Sequence, residues 1–257
     1  MSSSPRPVIA ITGTPEWSAS IEQQLASAYR IERYTEHSNY VPRLADAQTA
    51  MILVDGDDAD WPFWTSTPKA HNATRRIPVI VVTANATVRR AALTAGADIA
   101  LSPDDMAAQI GTLVADYARV DDPERLAQLD CECQEPLPPL AAAGVEQFNA
   151  GAYYPQHDLF EEQWMQTEGP VRDLYRAILQ VGIAYYQIER GNHRGALKML
   201  LRSVQWLLML PDECQGVDVR QLRADAFRVR AELEAMHPED IHQFDRSLLK
   251  PVRLVEG

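Results

Sequence analysis

Two stretches, Met51-Ile52-Leu53-Val54-Asp55 and Ile77-Pro78-Val79-Ile80-Val81-Val82-Thr83, set the architecture of the first half of this chain. Each is a continuous apolar run, largely β-branched, that stops on a polar side chain. That is the pattern of a strand covered on both faces rather than on one. Outward from them, Val8 to Thr12 is a shorter apolar run, entered after Pro7 and left at Gly13. Ser18 to Tyr29 carries Ile21, Leu25 and Ala28 at helical spacing, and Tyr29 to Tyr34 follows as a second strand. Tyr40 to Ala47 is a short helix, and Thr87 to Ala95 a longer one closed by Gly96. A weak strand at Asp98 to Leu101 and a helix from Asp104 to Tyr117 complete the set. Strands alternating with helices predict an α/β domain with a parallel, flavodoxin-like sheet over residues 1–120. Chemistry in such sheets gathers at the carboxyl ends of the strands, where Asp55, Thr83 and Ser102 fall.

At 257 residues the chain is long enough for about two domains, each able to bury a core. Half of the formal charge of −12 sits in residues 121–146, which hold seven acids against one base. Neither flanking part carries the basic footprint that nucleic acid requires, so nucleic-acid binding is not expected. The start, Met1-Ser2-Ser3-Ser4-Pro5, has no secretory apolar region, and the most apolar stretch, Val204 to Leu210, is too short to span a bilayer. A cytoplasmic protein without a membrane segment is expected. Cys131, Cys133 and Cys214 are an odd and sparse set, not a disulfide framework. Cys131 and Cys133 are expected as free thiols; a metal site there needs two further soft ligands that no nearby residue supplies.

The segment Ile77 to Ala84, with Ala95-Gly96-Ala97-Asp98 and Ser102-Pro103 behind it, is similar to the back half of a response-regulator receiver domain. The resemblance implies that Asp55 stands at the phospho-acceptor position and Thr83 at the switch hydroxyl. It also exposes departures. Receivers hold Mg²⁺ with an acidic pair after the first strand, where this chain has Thr12-Gly13-Thr14. They place a Lys before the final Pro, where this chain has Ser102. Phosphoryl transfer to an aspartate needs the metal and the lysine to neutralise the negative charge that develops on the phosphoryl oxygens. A degenerate receiver site and a pseudo-receiver used for packing or dimerisation are therefore expected. Asp55 to Asp60 resembles part of a calcium loop but lacks the closing Glu, so it reads as a solvated loop. Trp61, Phe63 and Trp64 form either a contact surface or a covered core edge.

Asp121 to Pro139 is acidic, contains prolines and has no sustained apolar period, so an extended linker is expected. From Leu140 a helical pattern resumes and runs to residue 236, with a C-terminal tail over 237–257. Val145, Phe148 and Ala152 mark one helix, and Pro155 starts another carrying His157, Phe160, Glu161 and Trp164 on one stripe. Gly169-Pro170 opens a third, buried at Val171, Leu174, Ile178, Val181, Tyr185 and Ile188 and capped by Gly191-Asn192. His193 to Leu210 is apolar at Ala196, Leu200, Val204, Leu207 and Leu208; Asp218 caps a last helix with Leu222, Ala226, Val229 and Leu233 inside. Long amphipathic helices on short connections predict an all-α helical bundle.

Phe148-Asn149-x-Gly151-x-Tyr153, His157, Glu161 and Trp164, then Arg190-Gly191-Asn192 and Gly216-Val217-Asp218-Val219, resemble the family known as domain of unknown function 309. The resemblance implies a compact helical fold over about residues 141–235 and no reaction. His157 and Glu161, one turn apart, are the residues here with chemical potential. They suit a metal half-site or a base with its orienting partner, and equally a hydrogen-bonded pair that fixes helix register. Gln180, Asn192 and Asp173 are polar residues able to converge on them. Arg190, Arg194, Lys198 and Arg202 at four-residue steps read as a solvated face, or as a dock for the acidic linker or an anionic ligand. The expectation is a non-enzymatic regulatory or interaction protein binding a protein partner or small ligand, with homodimerisation open. The alternative is a hydrolase or lyase on a small polar substrate, centred on His157 and Glu161. No cofactor or metal is assigned by the sequence.

Overall fold

The computed structural model describes residues 6–255; the polar start at residues 1–5 lies outside them. The chain divides into two compact units, Met1–Val120 and Asp121–Gly257.

The first unit runs β1 (Val8–Thr12), α1 (Ser18–Leu25), β2 (Arg30–Tyr34), α2 (Tyr40–Asp46), β3 (Thr49–Asp55), α3 (Trp61–Ala70), β4 (Val79–Val82), α4 (Ala86–Thr94), β5 (Ile99–Leu101) and α5 (Pro103–Tyr117). All five strands are parallel, in the order β2-β1-β3-β4-β5. That is the flavodoxin-like, doubly wound order, whose switch point lies between β1 and β3. The continuous apolar runs are accounted for by two cores. Ile9, Ile11, Met51, Leu53, Ile80 and Val82 pack with Ile21 and Leu25 of α1 and Met106 and Ile110 of α5. The alternate residues, Ala10, Ile52, Val54, Val79 and Val81, point the other way, toward Leu44 of α2, Trp64 of α3 and Ala92 of α4. A period of two with both sets apolar is what a sheet covered on both faces requires.

Helix α3 has no sequence counterpart in the expectation above. Its composition, with Pro62 in the first turn and Pro68 inside, hides the helical period. It answers the question of the aromatic segment: Trp64 is buried in the second core, with Trp61 and Phe63 half-buried against it. The stretch is a covered core edge.

The second unit holds α6 (Pro123–Glu132), α7 (Pro139–Asn149), α8 (Pro155–Gln166), α9 (Arg172–Glu189), α10 (His193–Leu207), a hairpin of β6 (Glu213–Cys214) and β7 (Val217–Asp218), α11 (Val219–Ala235), and two 3₁₀ turns, Pro238–Gln243 and Arg246–Leu248. The expected inner faces of α9 and α11 are buried. Caps fall where the side chains dictate: Asn192 Oδ1 accepts from Gly195 N at 3.0 Å, and Asp218 Oδ1 from Gln221 N at 2.9 Å. Gly144 lets α7 approach α8, since a Cβ there would lie 2.8 Å from the Phe160 ring.

Three expectations are overturned. The acidic segment is not an extended linker: Asp122 caps α6 by accepting from Glu124 N, and Leu129 enters the helical core. With Leu129 the single buried residue of α6, there is too little apolar signal to read. Cys133 is not a free thiol; it is disulfide-bonded to Cys214, 81 residues away, leaving Cys131 as the exposed free one. The cysteine argument for a reducing compartment falls with it. Finally, residues 237–255 are no loose tail. Ile241, Phe244 and Val252 are buried, and the Asn149 side-chain amide holds the Val252 backbone: Oδ1 accepts from its N at 2.8 Å and Nδ2 donates to its carbonyl at 2.9 Å. Among the described residues no helix is long and apolar enough to cross a membrane.

Candidate functional site

At the carboxyl edge of the parallel sheet, Asp55 ends β3, Thr83 follows β4, and Ser102 precedes α5. An open cleft of about 580 Å³ lies here, lined by Thr14, Pro15, Glu16, Trp17, Asp55, Asp57 and Pro103. The strands deliver Asp55 and Thr83 to the same edge, but a third residue stands between them. Thr83 Oγ1 donates to Asp57 Oδ1 at 2.5 Å, and Asp57 N donates to Asp55 Oδ1 at 3.0 Å. Gly56 makes this tight passage feasible, because a Cβ there would sit 2.9 Å from Thr83 and Val81 side-chain atoms. Thr12 Oγ1 accepts from Asp55 N at 3.1 Å, so Thr12 anchors the end of β3.

Ser102 is engaged elsewhere. Its hydroxyl donates to Asp105 Oδ2 at 2.6 Å and accepts from Asp105 N at 3.1 Å, an N-terminal cap for α5. Arg89, beside Thr83, spends its Nη1 on the carbonyls of Thr83 and Ala84, at 2.7 and 2.8 Å. Burial holds the Asp55 carboxyl above the usual carboxylate range, and the charges of Asp57 and Asp58 push the same way against the backbone N–H groups of both residues. Trp17, which the sequence reading passed over, lines the cleft with a buried indole N–H that has no partner among the described residues. Its position just after the β1 loop was the available signal.

In the helical unit, His157 and Glu161 do not form a pair. His157 Nδ1 contacts Asp158 Oδ1 at 3.1 Å, its side chain is 30% exposed, and its ring stacks on Tyr154 with centroids 6.3 Å apart. Glu161 is exposed. One turn of α8 puts the two residues near the same face, but neither the buried network nor the base–orienter pair is assembled. Asn192 is exposed and committed to its cap and to Gln187. Gln180 is half-buried, with a buried Oε1 lacking a partner among the described residues. The convergence of these residues on His157 is therefore not built.

A different cluster is. The Trp164 ring carries the guanidinium carbons of Arg172 and Arg176, 4.7 and 4.4 Å from its centroid. Arg176 also lies 5.0 Å from the Trp206 ring, which Arg202 approaches at 5.7 Å. The four-residue step on α9 brings the two arginines to one face. Asp173 beside them bonds Arg125 of α6 at 2.6 Å and meets Arg176 at 3.8 Å. Burial raises its carboxyl even so, outweighing the arginines that lower it. Of the four basic residues expected to line one face, Arg190 caps α9, whereas Arg194, Lys198 and Arg202 belong to α10. Among the described residues no three His, Cys, Asp or Glu side chains converge as a metal site.

Residues 141–199, from α7 into α10, match the family model of a domain of unknown function, DUF309. The stretch includes His157, Glu161, Trp164, Arg172, Arg176, Gln180 and Asn192. An uncharacterized protein of Aquifex aeolicus (strain VF5) is 22% identical over 130 residues, which is 50% of this chain. The chain spans 38% of that relative's length.

Proposed function

We propose that the chain is a non-enzymatic interaction protein. Its front unit is a receiver-like contact module without phosphorylation chemistry, and its helical unit binds a small ligand or a partner. The observation that carries this reading is the use already made of the switch positions: Thr83 serves Asp57, Ser102 caps α5, and Thr12 anchors the Asp55 backbone. An environment that disfavours one negative charge on Asp55 disfavours the greater charge of an acyl phosphate still more, unless cations are supplied. The hydrolase or lyase reading draws less support, because His157 meets the exposed Asp158 instead of Glu161.

The test is incubation with a small phosphodonor and Mg²⁺, followed by intact-mass measurement. No phosphate on the front unit is the expected result. Stoichiometric phosphate at Asp55 would overturn the contact-module reading. Activity screens on His157→Ala and Glu161→Ala address the alternative, which requires a turnover that both variants lose.

A further inference from the structure

We propose that the helical unit holds a small oxyanion, a carboxylate or phosphate, at the face built from Trp164, Arg172 and Arg176. The arginine side chains are positioned before any ligand arrives: both guanidinium groups rest on one indole, 4.7 and 4.4 Å from its centroid. Stacking of this kind restrains two long side chains and holds the planar fork of Arg172 ready for a bidentate acid. Two further donors, Trp164 Nε1 and Arg172 Nε, are buried without an acceptor among the described residues. Buried polar groups are nearly always satisfied, so a pair of orphaned donors beside stacked arginines points to a missing acceptor-rich group.

The carboxylate already present does not fill that role. Asp173 is taken up by Arg125 at 2.6 Å and Arg176 at 3.8 Å, so it neutralises part of the cluster and leaves the Arg172 Nε without an acceptor. Arg172 as a residue is half-buried, not fully enclosed.

This inference rests on the reading of the helical unit as a ligand-binding unit. The phosphorylation assay reports on the front unit alone, so the two fail separately. The experiment is calorimetric titration of the full chain with inorganic phosphate and, in a second arm, succinate, at constant ionic strength. Saturable binding of either is expected, with the stronger arm naming the acid class. Arg172→Gln is expected to weaken it at least about tenfold, while Arg228→Gln, an exposed arginine of α11, leaves it unchanged. No saturable heat in either arm, or undiminished binding to Arg172→Gln, overturns the proposal. Should Arg172→Gln not fold, Trp164→Phe decides, since it keeps the ring and deletes the N–H. Binding weakened by about threefold or more then supports the site, and wild-type strength overturns it.

Discussion

Reduction of the Cys133–Cys214 disulfide is expected to destabilise the helical unit and leave the front unit untouched. The bond closes a loop of 81 residues, from the end of α6 to the β6–β7 hairpin. Loop-closure entropy for that length amounts to about 4.5 kcal/mol. The measured loss should be smaller, because non-covalent contacts hold the same two segments. Gln215 N donates to the Cys133 carbonyl at 2.7 Å, Tyr175 Oη donates to Gln215 Oε1 at 2.9 Å, and Val171 N donates to Glu132 Oε2 at 2.9 Å. A net loss of about 2–4 kcal/mol is expected; with a urea slope of about 1–3 kcal/mol/M, the midpoint falls by roughly 1 M or more. Urea melts followed by far-UV circular dichroism, with and without reductant, measure this. The front unit has no cysteine, so its transition is an internal reference. Thiol titration of protein purified without reductant and then denatured should find one reactive thiol per chain, Cys131. Three reactive thiols, or a helical transition indifferent to reductant, would refute the reasoning.

Gly144→Ala should cost about 1–3 kcal/mol by driving a Cβ to 2.8 Å from the Phe160 ring, and Phe160→Leu in the same chain should recover part of it in a thermal melt. His193, buried, has Nε2 2.7 Å from the Leu233 carbonyl; His193→Phe should leave that acceptor bare and cost about 1–3 kcal/mol in denaturant. Asp55→Asn should stabilise the front unit at neutral pH. A carboxyl whose folded pKa is raised binds more protons folded than unfolded, so it loses stability as pH rises from the unfolded value of about 3.9 through the raised folded one. The advantage of the amide should thus fade on acidification, and an advantage that persists at low pH would contradict the burial argument. His157→Ala should move the melting temperature little, as its partner Asp158 is 73% exposed; a loss of several kcal/mol would mean a buried network after all.

Much of this molecule was fixed by short-range pattern. The apolar runs at 51–54 and 77–82 demanded helices on both faces of a sheet, and the two cores on either side of β1, β3 and β4 are that demand met. The helical periods of α9 and α11, and the caps at Asn192 and Asp218, were equally local, because spacing along a helix determines which side chains share a face. Tertiary structure alone decided the rest. Cys133 found a partner 81 residues away, α6 docked with Leu129 as its one buried side chain, and Trp61 to Ala70 became helix despite two prolines. The candidate sites divide the same way. Sequence placed Asp55 and Thr83 at one sheet edge, but only the turn through Gly56 set Asp57 between them. It put His157 and Glu161 one turn apart, yet their exposure depended on how α8 packs. The stacking of Arg172 and Arg176 on Trp164 joins two helices, and no periodicity within either one encodes it. Periodicity specifies a face; which residue of another element meets that face is settled by packing.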